Sequence, residues 1–388
     1  MIKFRTILEV FLIALKLGVT SFGGPVAHLG YFREEYVVRR KWLDENSYAA
    51  LVALCQFLPG PASSQVGISV GMTRAGMLGG IAAWIGFTLP SALALAVFAI
   101  ALQDVDVANS GWLHGLMIVA VAIVAQAVWG MARSLAPDRP RATIAILTAI
   151  AALMIPNAFG QVALIILSGL AGLLFLRSKE EKQQTQLNFS VSRRAGVLSW
   201  GIFLALLFGL PLLSHWFAAP WLAMFDSFYR AGSLVFGGGH VVLPLLQAEV
   251  VPNGWVTDAE FIAGYGAAQA VPGPLFTFAS YLGATMNGWQ GAWVATLAIF
   301  LPSFLLVLGA LPFWEAVRHR AGFQSFFQGV NAAVVGMLVA TLYDPVWTKA
   351  ILSPADFSLA LLAFGLLMVW KIPPWIVVVV AATGGMIF

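Results

Sequence analysis

The chain has 388 residues, of which 60% are hydrophobic and only 10% charged, with a mean hydropathy of +0.88 and a formal net charge of +4. Soluble domains carry about 25% charged residues, so too few charges remain to cover a water-facing surface of this size, and a soluble protein is excluded. The alternating strands of a barrel are absent, which leaves a polytopic α-helical membrane protein. The positive charge is gathered in short loops and reads as a topology signal, not a nucleic-acid surface. A single cysteine, Cys55 in an apolar run, excludes an internal disulfide and a thiolate metal cluster, and reads as small core filler.

In chain order, Lys3 and Arg5 precede an apolar run that resembles a signal peptide. Glu9 and Lys16 interrupt it, and Phe22-Gly23-Gly24-Pro25 is no cleavage site, so it reads as a retained first membrane segment. A basic stretch follows, with Arg33, Arg39, Arg40 and Lys41. The apolar segment Ser47–Thr73 is interrupted at Gln56-Phe57-Leu58-Pro59-Gly60-Pro61 and ends at Arg74. Gly76–Leu102, carrying Leu89-Pro90-Ser91, and Leu113–Met131 are long enough, or nearly so, to cross roughly 30 Å of hydrocarbon. The first unit is expected over residues 1–177, a polar cytoplasmic linker over 178–195, one extra membrane helix over 196–217 and a second unit over 221–388. Gly79 and Gly172 read as ordinary positions in spanning helices.

The second unit repeats the first. Phe236-Gly237-Gly238-Gly239 follows Phe22 by 214 residues, Gln269-Ala270-Val271-Pro272-Gly273-Pro274 follows Gln56 by 213, and Leu301-Pro302-Ser303 follows Leu89 by 212. Three breaker motifs in one order mark a duplication inside membrane sequence, the signature of a secondary transporter, with the breaks pointing at the substrate site. The unmatched helix between the units predicts that the second lies upside down. The loop charges agree: the Arg33–Lys41 loop is matched by Leu246–Asp258, which has no Lys or Arg, and the acidic Asp104–Asp106 loop by Arg318, His319 and Arg320. Arg133, Arg139 and Arg141 are matched only by Lys349. The expected fold is therefore all-α, with two homologous repeats of inverted topology. Ser47–Thr73 and Glu260–Asn287 are expected as broken or re-entrant helices that turn at the two Pro-Gly-Pro motifs and meet near the bilayer midplane.

Lys16 and Arg230 are repeat equivalents within apolar segments, where an ionisable group is costly and points to function. Together they offer a positive site between the repeats; the alternative is pairing with a nearby acid, Glu9 for Lys16 or Asp226 for Arg230. The turns at Phe22, Gly23 and Gly24, and at Phe236, Gly237 and Gly238, expose backbone N–H groups. Helices starting after Pro61 and Pro274 present free donors and a partial positive charge to an oxyanion. Gln56 and Gln269, Pro59, Gly60, Pro272 and Gly273, and Ser63 and Thr277 complete the candidate substrate site. His28, His240, Glu35 and Glu249 are candidates for proton coupling. No metal, cofactor or nucleotide motif is present, and neither clustered histidines nor paired carboxylates at membrane depth suggest an intramembrane enzyme.

Phe-Gly-Gly-Pro with a nearby His, Arg39-Arg40-Lys41-Trp42, Gln-x-x-Pro-Gly-Pro and Phe236-Gly-Gly-Gly-His-Val-Val-Leu-Pro244 resemble the chromate ion transporter family in its long, two-domain form, over about Leu15 to Trp370. Gly239 stands where the first half has Pro25, so the two turns can differ in shape. The resemblance implies a multi-pass carrier in the bacterial cytoplasmic membrane that exports the chromate dianion, driven by membrane potential or proton coupling, and gives chromate resistance. Sulfate is the look-alike ion, and a sulfate or other oxyanion importer or exchanger is the alternative. The bilayer is the expected environment, no nucleic acid is expected, and a homodimer is left open.

Overall fold

A computed structural model describes residues 2–103, 110–155, 157–176, 191–217, 219–236, 238–314 and 321–387, apart from the side chains of Ile2, Lys3, Pro25, Val26, Ala158 and Ala321. The described residues form helices and no strands. Most of the predicted linker, the Asp104–Asp106 loop, the Arg318–Arg320 cluster and Gly237 lie outside them.

The first half begins with two helical hairpins. Helix α1 (Ile2–Thr20) turns at Phe22–Gly23 into α2 (Gly24–Arg33), which continues as a π-helical turn, Glu34–Arg39. The pairs Lys16–Glu35 at 3.1 Å and Glu9–Arg40 at 3.1 Å fix the two arms antiparallel. Helix α3 (Glu45–Phe57) starts on Asp44, whose carboxylate accepts from the Ser47 hydroxyl and amide, bonds that hold it below the ordinary carboxylate range. It stops at Leu58, which is extended, as the residue before a proline is biased to be. Past Pro59-Gly60-Pro61, helix α4 (Ala62–Ala101) runs back. The Arg74 guanidinium lies 4.8 Å from the Trp42 ring centroid, so both ends of the second hairpin meet beside the end of the first. Each arm of that hairpin has about 13 residues, roughly 20 Å of helix, which is short of a bilayer.

Helix α4 then reverses at Ala75 (φ −140°, ψ 21°) and Gly76 (φ 66°, ψ −157°). Across this turn Gly71 and Gly79 lie so close that a Cβ on either would sit within 2.3 Å of the other's carbonyl oxygen. The second half repeats both devices: Asn287 (φ −153°, ψ 42°) and Gly288 (φ 53°, ψ −145°) reverse the chain, and Gly283 and Gly291 make the same close approach. Equivalent residues thus adopt equivalent backbone conformations, as a duplicated unit should.

Helices α5 (Gly111–Leu135), α6 (Arg139–Met154) and α7 (Ala158–Phe175) complete the first half, with Asp138 and Asn157 capping the last two. The connecting helix α8 begins at Arg193, capped by Ser192, three residues before its expected start, and ends at Trp216. Then come α9 (Pro220–Leu234), α10 (Val242–Val250), α11 (Asp258–Ala268), α12 (Phe278–Ala310), α13 (Ala321–Thr341), α14 (Pro354–Met368) and α15 (Pro374–Gly385). Five segments among the described residues are long and apolar enough to cross a membrane: Ala62–Ala101, Gly111–Leu135, Arg193–Trp216, Leu275–Ala310 and Gly322–Ala350. Many large hydrophobic side chains face outward, such as Phe159, Leu174, Phe208 and Trp216, as a lipid-facing surface requires.

The third motif does not break the chain as predicted. Pro90 and Pro302 lie inside continuous helix in both halves. Neighbouring helices in a membrane protein tolerate such prolines. Here α1 packs on α4 so tightly that Gly18 and Gly86 each face the other helix's backbone. Cys55 is fully buried in the first-half core, as its sequence context suggested.

Candidate functional site

The two halves exchange one backbone hydrogen bond in each direction. The Gly273 N–H donates to Ser21 O at 3.0 Å, and the Gly60 N–H donates to Val235 O at 2.7 Å. Ser21 and Val235 are repeat equivalents, as are Gly60 and Gly273. Each Pro-Gly-Pro turn therefore docks on the first break of the other half. Both glycines have positive φ, 115° at Gly60 and 104° at Gly273, which the turn needs and a side chain resists. A Cβ on Gly60 would lie 2.8 Å from Gln65 Nε2 and 2.9 Å from Ser303 Oγ; one on Gly273 would lie 2.9 Å from Ser91 Oγ. Ser303 and Ser91 are again equivalents, so the third motif serves as the wall behind each turn.

The two junctions differ in chemistry. At the Gly273 junction, Ser21, Gly23, Gly24, His28, His240, Gln269 and Gly273 line a polar cavity of about 30 Å³ closed by Pro374 of α15. Ser21 Oγ and Gln269 Nε2 are buried with no hydrogen-bond partner among the described residues. His28 Nδ1 is 3.4 Å from Ser63 Oγ, and its ring meets Phe87 edge-on. His240 Nδ1 is 2.6 Å from the Tyr265 hydroxyl. At the Gly60 junction, Phe57, Leu58, Pro59, Leu234 and Phe236, with Trp200 and Phe203 of α8 and Trp314, line an apolar cavity of about 460 Å³. The larger cavity offers an anion almost no partner.

Several predicted site residues are thereby reassigned. Gln56 is exposed on α3, because Leu54 and Cys55 take the core face and turn it away; its equivalent Gln269 sits at the polar cavity. In the first half the buried amide is instead Gln65, which donates to Pro59 O at 2.7 Å. Pro59 and Phe236 belong to the apolar cavity. Phe22 rests against Trp375. Pro61 is the N-cap of α4 and Thr277 donates back to Pro274 O, while Pro272 and Gly238 shape their turns without lining the polar cavity.

Lys16 and Arg230 do not form a free positive site, since both carry carboxylate partners. Lys16 Nζ lies 3.1 Å from Glu35, which also accepts from Arg40 Nε at 2.8 Å. Arg230 holds Glu249 with two bonds, at 2.7 and 3.0 Å, and Asp226 at 3.1 Å. The predicted Asp226 partner is thus present, but Glu9 pairs with Arg40 instead of Lys16. Glu35 and Glu249, the proton candidates, are the equivalent acids of these pairs. Among the described residues no three His, Cys, Asp or Glu side chains gather as a metal site. Ser21, Tyr265 and the structural part played by Ser91 and Ser303 escaped the sequence reading. Only the adjacency of Ser21 to the Phe-Gly-Gly motif could have flagged it.

The sequence profile of the chromate transporter family matches residues 8–173 and 222–386. The chain belongs to the chromate transporter family. It is 31% identical over 385 residues to the chromate transport protein of Pseudomonas aeruginosa, covering 97% of this chain and 90% of that one. A probable chromate transport protein of Synechococcus elongatus is 28% identical over 96% of this chain and 93% of its own length. An uncharacterized transporter of Methanocaldococcus jannaschii is 29% identical over 86% and 83%. No solved structure matches the chain. Family membership and the membrane-length helices make this chromate transporter family member an integral membrane protein and a transporter.

Proposed function

We propose that this chromate transporter family member exports the chromate dianion across the cytoplasmic membrane, holding it at the Gly273 junction, and so confers chromate resistance. The observation that carries this reading is the pair of unpartnered donors, Ser21 Oγ and Gln269 Nε2, facing one polar cavity between the two breaks. Buried polar groups are rarely left unpaired, and those that are call for a ligand or water. The surrounding Gly23, Gly24 and Gly273 backbone lets a tetrahedral oxyanion approach closely. The cavity of about 30 Å³ is small and polar, and on this reading the halves part to admit and release the oxyanion, as alternating access requires. Inside-negative potential favours outward movement of a dianion by roughly 4–5 kcal/mol at 100 mV.

The halves are read as inverted repeats. Their reciprocal hydrogen bonds and matching reversals support a two-fold relation, and the swapped loop charges support an axis in the membrane plane. On this reading Arg40, Trp42 and Arg74 mark the cytoplasmic face and Asn253 and Asn287 the outer one. Single cysteines placed after Lys41 and at Asn253, in a Cys55-free background, are expected to react with an impermeant thiol reagent from opposite sides. Labelling from the same side would reject the inversion.

The site is tested by chromate flux in proteoliposomes under an imposed potential, with sulfate as the competing ion. Ser21→Ala and Gln269→Leu each remove one donor without a charge. A hydrogen bond to a charged group contributes about 1.5–3 kcal/mol, so each is expected to weaken chromate binding by roughly ten- to a hundredfold. Gln56→Leu is expected to leave it near wild type. Equal effects at Gln56 and Gln269 would move the site away from this junction.

A further inference from the structure

The equivalent pairs Lys16–Glu35 and Arg230–Glu249 each stand in a group, or centre, of charged side chains, and the two centres are unequally charged. In the first half Glu35, Glu9 and Glu34 meet Lys16, Arg40 and Arg39, three acids against three cations, with Lys16 more than half exposed. In the second half Asp226 and Glu249 meet Arg230 alone, and the two carboxylates are only 8% and 7% exposed. The difference lies in five positions: Ala223, Asp226, Ala248, Asn253 and Gly254 stand where the first half has Glu9, Leu12, Glu34, Arg39 and Arg40, a net change of one negative charge. No further charge answers the excess among the described residues. Of the elements packed on α9, helix α12 has Tyr281 as its sole titratable residue, with its hydroxyl on Glu260 O. Helix α8 has Arg193 and Arg194 in its first turn and an exposed His215 in its last, none of them paired with the centre; α10 contributes only Glu249. On α9 itself the Tyr229 hydroxyl donates to Phe203 O.

A buried centre with one uncompensated negative charge is costly unless it binds a cation, and the smallest cation available to a carboxylate is a proton. The geometry also says which acid takes it. Glu249 uses both oxygens on the guanidinium, through Nε and Nη2, while Asp226 has a single 3.1 Å contact to the Nη2 that already donates to Glu249. Asp226 is the weaker partner.

We infer that Asp226 is a proton-carrying site, and that its proton moves inward as the anion moves outward. This rests on the export reading above. The proton adds to an Asp226 carboxylate oxygen, leaves the centre neutral, and departs again without breaking any other bond. Glu249 is one residue from the end of α10 and bonds Asn253 through its carbonyl, so the centre lies at the end of the hairpin that this reading places outside. Arg230 and Glu249 tie together α9 and α10, the two arms whose tip holds Val235, bonded to Gly60, and His240, which lines the anion cavity. A change of charge at the centre is thus applied to the arms that close on the anion.

Two measurements on the full-length protein in proteoliposomes test this. The first needs no substrate. Infrared difference spectra of the reconstituted protein taken across a pH step are expected to contain a protonated-carboxyl band that Asp226→Asn and Glu249→Gln each remove, since one acid and Arg230 then balance. Glu35→Gln is expected to keep it. Absence of the band from the wild type, or its survival in Asp226→Asn, would overturn the inference. In the second, vesicles loaded with chromate and a trapped pH dye are expected to acidify inside as chromate leaves. Asp226→Asn is expected to lose the acidification and the dependence of efflux on external pH. Acidification per chromate equal to wild type in that variant would also overturn it. Failure of the wild type to move chromate would instead reject the export reading, with the infrared result standing separately.

Discussion

Arg230→Ala is expected to abolish chromate transport, whereas Lys16→Ala retains a measurable fraction, although the two positions are repeat equivalents. Arg230 is four-fifths buried, and its removal leaves Glu249 and Asp226 as two uncompensated carboxylates in an apolar surround. Breaking a buried ion pair from one side costs about 3–5 kcal/mol, which is a large share of a domain's stability. Lys16 is more than half exposed, and after its removal Glu35 still accepts from Arg40 at 2.8 Å. The loss there approaches the 0–1 kcal/mol of an exposed pair. Arg230→Lys is expected to rescue poorly, because an ammonium cannot reproduce the two-pronged hold on Glu249. Membrane abundance by immunoblot, together with flux per molecule, separates misfolding from lost transport. Equal losses at both positions would contradict the unequal charge balance of the two centres.

Gly273→Val is expected to reduce flux at least tenfold, and Gly60→Val similarly. A β-branched side chain at φ 104° or 115° is strained by about 1–2 kcal/mol or more, and its Cβ would press on Ser91 Oγ in one case and on Ser303 Oγ and Gln65 Nε2 in the other. Either shift pulls the turn off the opposite half and breaks its hydrogen bond to Ser21 O or Val235 O. The control has to be chosen with care. Gly79 and Gly172 look like ordinary helix positions, yet a Cβ on them would lie 2.1 Å from Gly71 O and 2.3 Å from Ser325 O. Gly201 of α8 has nothing within 4 Å and is the proper comparison. Flux through Gly201→Val near wild type, with Gly273→Val lost, is the expected pattern. Tolerance of Gly273→Val would show that the turn is free to move.

The duplication was legible because it is written in residues with few substitutes: glycine at positive φ and proline at a helix stop leave the same mark in both halves. The broken helices over 45–74 and 258–287 followed from those marks. Pro90 and Pro302 carried the same mark without a break, because packing against neighbouring helices overrides a lost hydrogen bond, and no short motif encodes packing. The unequal fate of Gln56 and Gln269 was hidden for a related reason. Their local sequences match, and what separates them is which helices close over each junction: α8 with its Trp200 and Phe203 on one side, α15 with Pro374 on the other. Ser21 was invisible because a serine in an apolar helix is usually a tolerated small residue, and only the missing partner gives it significance.

The unlike junctions have a consequence for the energies of the transport cycle. In an inverted pair of identical halves, the inward-open and outward-open forms would be related by symmetry and equally populated without a potential. Here one junction is closed by polar groups around a small cavity and the other by aromatic side chains around a large one. Opening the first exposes hydrogen-bonding groups to water, and opening the second exposes apolar surface. The degeneracy is lifted, and a difference of a few kcal/mol is enough to hold the minor form at 0.1–10% of molecules. For the inverted arrangement proposed above, the empty carrier therefore has a resting orientation set by solvation, before any anion, proton or voltage acts on it.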